Sequence, residues 1–333
     1  MQSRVWRVCA IALVLVGCGD PTPRARYLDD RDFRRAALVA ELVTPANDYS
    51  RTRFERYAGD WDELPVWNPV GLDLDISPDD PVALRALGEQ AFFRYPAQLW
   101  QQGGDHLVHV QTAAGDRVAA TCATCHAMGG VPGLANATLD IGFGPGRADV
   151  TTRDGSEPLK IPDLRPVREQ RYLQASAAVR QRDVISLAVR IETLVITAHH
   201  ETVRPPPIVT LALAEYLWSL DPPPPAPATG HGAALFAARC AGCHVPPAFT
   251  GEPVAAARVG TDPAAAFSRD RGTGMYRVPS LRGVADRALL LHDGSVHSIA
   301  ELLDPARTTP GHRFGTTLSA ADRSDLAAYL ATL

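Results

Sequence analysis

Apolar and polar positions change rhythm several times along the chain, and each change marks an element. Behind Arg4 and Arg7 the stretch Val8 to Val16 is apolar, and Gly17-Cys18 and the polar Gly19-Asp20-Pro21 follow it. A basic start, a short apolar run and a small residue before the cut describe an export signal. No apolar run reaches the roughly 18 residues of a membrane-spanning helix. Asp30 to Val43 reads as an amphipathic helix, and Asp60 to Pro69, with Trp61 and Trp67, as an irregular docked segment. Gly88 and Phe92 lie one helical turn apart, and Gly232 and Phe236 repeat that spacing. His106-Leu107-Val108-His109-Val110 alternates ahead of a turn at Ala114-Gly115-Asp116, which predicts a β-hairpin.

The pattern repeats. Cys122 and Cys240 stand 118 residues apart, and Lys160-Ile161-Pro162-Asp163-Leu164-Arg165 matches Arg277-Val278-Pro279-Ser280-Leu281-Arg282 at 117. Leu213-Ala214-Glu215-Tyr216-Leu217 matches Leu326-Ala327-Ala328-Tyr329-Leu330 at 113. Near-constant offsets predict an internal duplication of a mainly α domain, with the hairpin as a small insertion in the first copy. Small and aromatic residues on the opening and closing helices would let them cross closely. Between the copies, Asp221 to Thr229 holds five prolines, a semi-rigid spacer.

Composition narrows the class. Hydrophobic residues make 46% of 333 and charged residues 21%, which is ordinary for a globular chain. Aromatics reach only 7% beside 28 Pro and 26 Gly, which favours short helices joined by ordered loops. The net charge of -4 speaks against a nucleic-acid partner.

The six cysteines then name the chemistry. Cys9 lies in the export signal, and Leu15-Val16-Gly17-Cys18 looks like a bacterial lipobox, with Cys18 the lipidated mature N-terminus. The bland alternative is an ordinary signal in which Cys18 is incidental. Two or more acyl chains would hold the protein on the periplasmic face of a membrane. The other four form Cys122-Ala123-Thr124-Cys125-His126 and Cys240-Ala241-Gly242-Cys243-His244. C-x-x-C-H attaches haem c: the thiols bond the porphyrin and the histidine binds iron. A zinc ribbon wants its pairs roughly 15 to 20 residues apart, whereas 114 separate Cys125 from Cys240. Two covalent haems follow, with His126 and His244 as proximal ligands.

The sixth iron position decides between carrier and catalyst. Met128 lies too close to His126 to reach the far face; His231 and His297 read as solvent-facing turns, and His106 and His109 as hairpin side chains. His312 precedes Tyr329 by 17 residues and His200 precedes Tyr216 by 16, each in a loop before a closing helix. His312 is therefore expected on the second haem, with Met275 or an empty position as rivals. His200 is expected on the first, with His199 or an open iron as alternatives.

Tyr276-Arg277-Val278-Pro279-Ser280-Leu281-Arg282-Gly283-Val284 and His292-Asp293-Gly294-Ser295 resemble the bacterial dihaem cytochrome c peroxidase and MauG superfamily. The resemblance covers two tandem cytochrome c-like domains, 81–221 and 230–333; the residues themselves mark 1–17 as lipoprotein signal, 18–80 as an N-terminal extension and 222–229 as linker. The resemblance also implies a catalytic N-terminal haem fed by the C-terminal one, and a distal ligand after His292-Asp293-Gly294, where His312 stands. The first copy departs from it. Phe143 replaces the family's removable distal histidine, Ala175-Ser176-Ala177 stands where a tryptophan is expected, and Val195 where an acid is expected, Glu201 being the nearest acid downstream. Two functions follow: an electron carrier serving a redox protein partner, or an oxidoreductase acting on peroxide or another small oxidant with Glu201 as general acid–base.

Overall fold

The computed structural model describes residues 23–28, 60–149, 158–268 and 272–333. Cys9, Cys18 and the helix expected over Asp30 to Val43 lie outside the described residues. The first half opens with the short helix α1 (Pro23–Leu28) and reaches α2 (Pro81–Arg94). Asp80 caps α2, its carboxylate accepting the Val82 and Ala83 N–H groups at 2.9 and 3.1 Å. Pro81 starts the helix without an N–H to leave unsatisfied. Leu84, Leu87, Gly88, Ala91 and Phe92 form its buried stripe.

The hairpin follows, β2 (Leu107–Thr112) pairing antiparallel with β3 (Gly115–Ala120). A short strand, β1 (Gln98–Trp100), joins the other edge of β3 and makes a three-stranded sheet. Three residues are too few to show alternation, so β1 had no signal in the sequence. β3 runs almost directly into α3 (Cys122–His126). Beyond it β4 (Arg147–Ala148) pairs with β5 (Leu159–Lys160), and helices α4 (Val184–Ala198) and α5 (Pro207–Ser219) complete this half. The segment around Trp67 docks on the α4–α5 loop, where the Trp67 N–H donates to Arg204 O at 2.8 Å.

The second half runs α6 (Gly230–Arg239), the paired strands β6 (Gly251–Ala255) and β7 (Met275–Val278), the short α7 (Ile299–Leu303) and α8 (Ala320–Leu330). Its opening and closing helices meet as those of the first half do. A Cβ on Gly88 of α2 would fall 2.0 Å from Ala212 O and 2.7 Å from Tyr216 Cβ on α5. A Cβ on Gly232 of α6 would fall 2.2 Å from Asp325 O and 2.9 Å from Tyr329 Cβ on α8. One turn on, Phe92 packs on Tyr216 and Phe236 on Tyr329, both with ring centroids 5.4 Å apart. Glycine at each crossing is what lets the backbones approach this closely.

The halves meet along a seam with a reciprocal design. Lys160, two residues before Pro162, donates its N–H to His292 O at 3.0 Å, and Arg277, two residues before Pro279, donates to Ala175 O at 2.8 Å. His292 lies 13 residues after Pro279, and Ala175 lies 13 after Pro162. Equivalent atoms are thus exchanged in both directions. Arg165–Asp286 at 2.7 Å, Arg282–Glu169 at 2.5 Å and Arg147 bonded to the Asp293 and Gly294 carbonyls reinforce the seam.

Candidate haem-iron centres

Helix α3 carries Cys122, Cys125 and His126 within little more than one turn. The hairpin secures its start: the hydroxyls of Thr121 and Thr124 both donate to His106 O at 2.9 Å. The His106 ring is exposed and packs on Phe93 at 5.3 Å, and His109 is exposed beside Asp116, so both are hairpin side chains. Burial, with the neighbouring cysteine, pushes Cys122 up to about 12 and Cys240 up to about 11; burial alone takes Cys125 to about 12. Burial thus disfavours the thiolate that a metal ion would need.

Both histidines of the motifs are held alike. Nδ1 of His126 bonds Pro162 O at 3.0 Å, and Nδ1 of His244 bonds Phe249 O at 3.1 Å with the Pro279 carbonyl also facing the ring. Burial lowers each to about 4, against the opposing pull of these carbonyls; His312 adds to the lowering of His244. The rings are therefore neutral at pH 7, with Nδ1–H directed at a carbonyl and Nε2 left with the lone pair that binds a metal. In the first half this is one physical task of the Pro-x-Leu-Arg loop, and in the second Phe249 takes the bond beside Pro279.

The structure brings His312 to His244. Their ring centroids lie 6.4 Å apart at an interplanar angle of 63°. Two imidazoles, each with a nitrogen about 2 Å from one shared metal ion, set their centroids roughly 6 Å apart, so the spacing fits an iron between them. The His312 loop is pinned: its N–H donates to Val259 O at 2.8 Å, and Arg307 reaches Gly311 O at 2.7 Å. A Cβ on Gly311 would fall 2.4 Å from Thr261 N, so glycine lets this loop lie flush. His312 itself adopts φ 46, a strained conformation for a branchless but bulky side chain, held by these contacts. Met275, the rival, opens β7 opposite Ala255.

The first centre differs from the expected mirror image. His199 caps the end of α4, buried, with Nε2 on Pro96 O at 2.9 Å and its ring edge-on to Trp67 at 4.9 Å. His200 is exposed, with φ 56. Among the described residues no ring contact like that of His244 and His312 joins His126 to either. The registers agree, but α4 runs up to His199 and delivers the following loop to the Trp67 segment, whereas His312 stands in a longer loop folded back on Gly260. Glu201, half-buried, follows with its N–H on Ile196 O at 2.9 Å, and no contact of His126 includes it. Phe143 sits half-buried in a turn tied by Asp140, which accepts from Gly142 and Gly144 N–H. Among the described residues no three His, Cys, Asp or Glu side chains cluster as a further metal site.

Residues 230–333 match the family model described as cytochrome c. No curated protein matches the chain. Similar solved structures are hydrazine synthase from Kuenenia stuttgartiensis (16% identity, 81% of this chain and 97% of that one, TM-score 0.49) and a MauG-like protein associated with microbial copper homeostasis (17%, 81% and 92%, 0.49). The dihaem peroxidase BthA from Burkholderia thailandensis E264 is also similar (18%, 81% and 89%, 0.46). Residues 230–333 are thus similar to cytochrome c, and the similar solved structures include a dihaem peroxidase and a MauG-like protein.

Proposed function

We propose that the chain is an exported dihaem cytochrome c, tethered through Cys18 to the periplasmic face of a membrane, that passes electrons through haems attached at Cys122/Cys125 and Cys240/Cys243. The two complete C-x-x-C-H motifs support the number two, and the duplicated helix crossings support two tandem units. The observation that carries the reading is the pair His244 and His312, with neutral, pinned rings at 6.4 Å. Bound haem iron supplies one-electron ferric–ferrous chemistry. His244 and His312 would close both faces of the second iron, and closed coordination suits electron transfer over binding of a small molecule. The Pro162 and Phe249 carbonyls fix the proximal rings so that they need not reorient when the charge changes.

A second reading draws on one observation. Nε2 of His199 is engaged by Pro96 O and His200 is exposed, which favours an open iron at His126. There a small oxidant such as peroxide could bind, with Glu201 as general acid–base if substrate brings it to the distal face. Optical and electron paramagnetic resonance spectra of the purified protein separate the two. Purely low-spin ferric spectra support the carrier; a high-spin component of about half the haem supports the oxidoreductase. Mass spectrometry tests the foundation of both: Cys122→Ala with Cys125→Ala must remove one haem, and Cys240→Ala with Cys243→Ala the other.

A further inference from the structure

Lys160 and Arg277 hold equivalent places on the reciprocal seam. Each stands two residues before the proline of its loop, and each sends its N–H across to the other half. Their charged ends are treated unlike those of the other seam cations. Arg147, Arg165, Arg282 and Arg287 all end on carboxylates or carbonyls. The Lys160 ammonium and the Arg277 guanidinium have no hydrogen bond or ion pair among the described residues. Lys160 borders a small cavity shared with Asp163 and Arg287 and walled by Gly146, Ile161 and Leu289.

The cluster is short of negative charge. Burial, then Arg287 and Arg277, push Lys160 down to about 7, and burial with Arg287 brings Arg277 to about 10. Among the described residues Asp163 is the one acid acting on Lys160, and it already binds Arg165 at 2.8 Å and Arg287 at 3.3 Å. Half-buried cations with no counter-charge of their own form a favourable place for an anion.

Chain position says which anion. Pro162 O receives Nδ1 of His126, and the Pro279 carbonyl faces His244. Each unpartnered cation is thus two residues from a carbonyl that steadies an iron-binding ring. A porphyrin held by that ring carries two propionates as its only anionic groups.

We propose that Lys160 and Arg277 form a carboxylate-binding pair on the seam, and that its occupants are propionates of the two haems. This rests on the dihaem reading. The pair links the units electrostatically: a cation beside a propionate favours the reduced haem, which holds one electron more.

The test uses the intact dihaem protein. Lys160→Gln should lower the midpoint potential of the His126 haem, and Arg277→Gln that of the His244 haem, each shifting the propionate-bending band in the resonance Raman spectrum. Lys160→Arg should restore both readouts. Unchanged potentials and bands in Lys160→Gln and Arg277→Gln, in samples that keep native circular dichroism, would overturn the proposal. Potentials of the wild type that move with added inorganic phosphate at fixed ionic strength would also overturn it, by making a free anion the occupant. A wild-type mass with fewer than two haems overturns the dihaem reading instead, and Arg277→Gln on the remaining His244 haem still decides the proposal.

Discussion

His312 faces His244 across 6.4 Å, centroid to centroid, from a loop that Arg307 and the Val259 carbonyl hold in place. His312→Ala should open that iron, giving a high-spin ferric signal and new binding of carbon monoxide or cyanide. His312→Met should keep six-coordination where sulfur reaches, and raise the potential, since a His/Met site lies above a bis-imidazole one. Met275→Ala should leave the spectrum untouched. If Met275→Ala opens the iron and His312→Ala does not, the assignment is reversed.

The helix crossings admit no side chain. Gly88→Ala and Gly232→Ala each force a methyl against a rigid carbonyl, and each should cost about 2–3 kcal/mol. Gly103→Ala, with open space around it, is the control. Chemical denaturation followed by circular dichroism compares the three. Equal midpoints for Gly232→Ala and Gly103→Ala would remove the close crossing from the account of the fold.

Acid should act late. Burial holds His126 and His244 neutral down to about 4, below the ordinary 6.5, so the stability of the neutral rings is present above 6.5 and lost as pH falls through about 4. Iron on Nε2 competes with the proton and moves the loss further down. The low-spin spectrum of the His244 haem should hold steady from neutral pH to about 4. Loss of that spectrum already near 6.5 would mean an exposed ring.

Anchoring is read by fractionation. Cys18→Ser should release a soluble cytochrome, because the apolar run behind Arg7 is too short to span a bilayer. Retention in salt-washed membranes would return Cys18 to an incidental role.

Much of this was legible in the chain because covalent chemistry and helix crossings use fixed local patterns. C-x-x-C-H needs no tertiary information, and Gly88 with Phe92 marks its own partner helix. The distance from Tyr329 pointed to His312, whose ring the structure sets near His244. The same arithmetic pointed to His200, yet the structure sets His199 on Pro96 and leaves His200 exposed. Register counts residues, and it carries no account of where a preceding helix stops or which segment the next loop must cover. Trp67 competes for that loop from a region with no counterpart in the second half. The carbonyls of Pro162 and Phe249 were invisible because backbone atoms look alike in every sequence. Lys160 and Arg277 stood in the matched motif all along, but only the seam shows their charges to be unmatched.

The reciprocal bonds of Lys160 to His292 and Arg277 to Ala175 are the contact pattern of a two-fold dimer written into one polypeptide. An isologous interface of this kind is indifferent to chain order, since each partner supplies both the donor and the acceptor. The prolines after Asp221, with the hairpin and the Trp67 segment of the first half, then tell the two units apart. Because both bonds run from backbone to backbone, the joint tolerates any side chain but proline at positions 160 and 277, and leaves their charged ends free for another task.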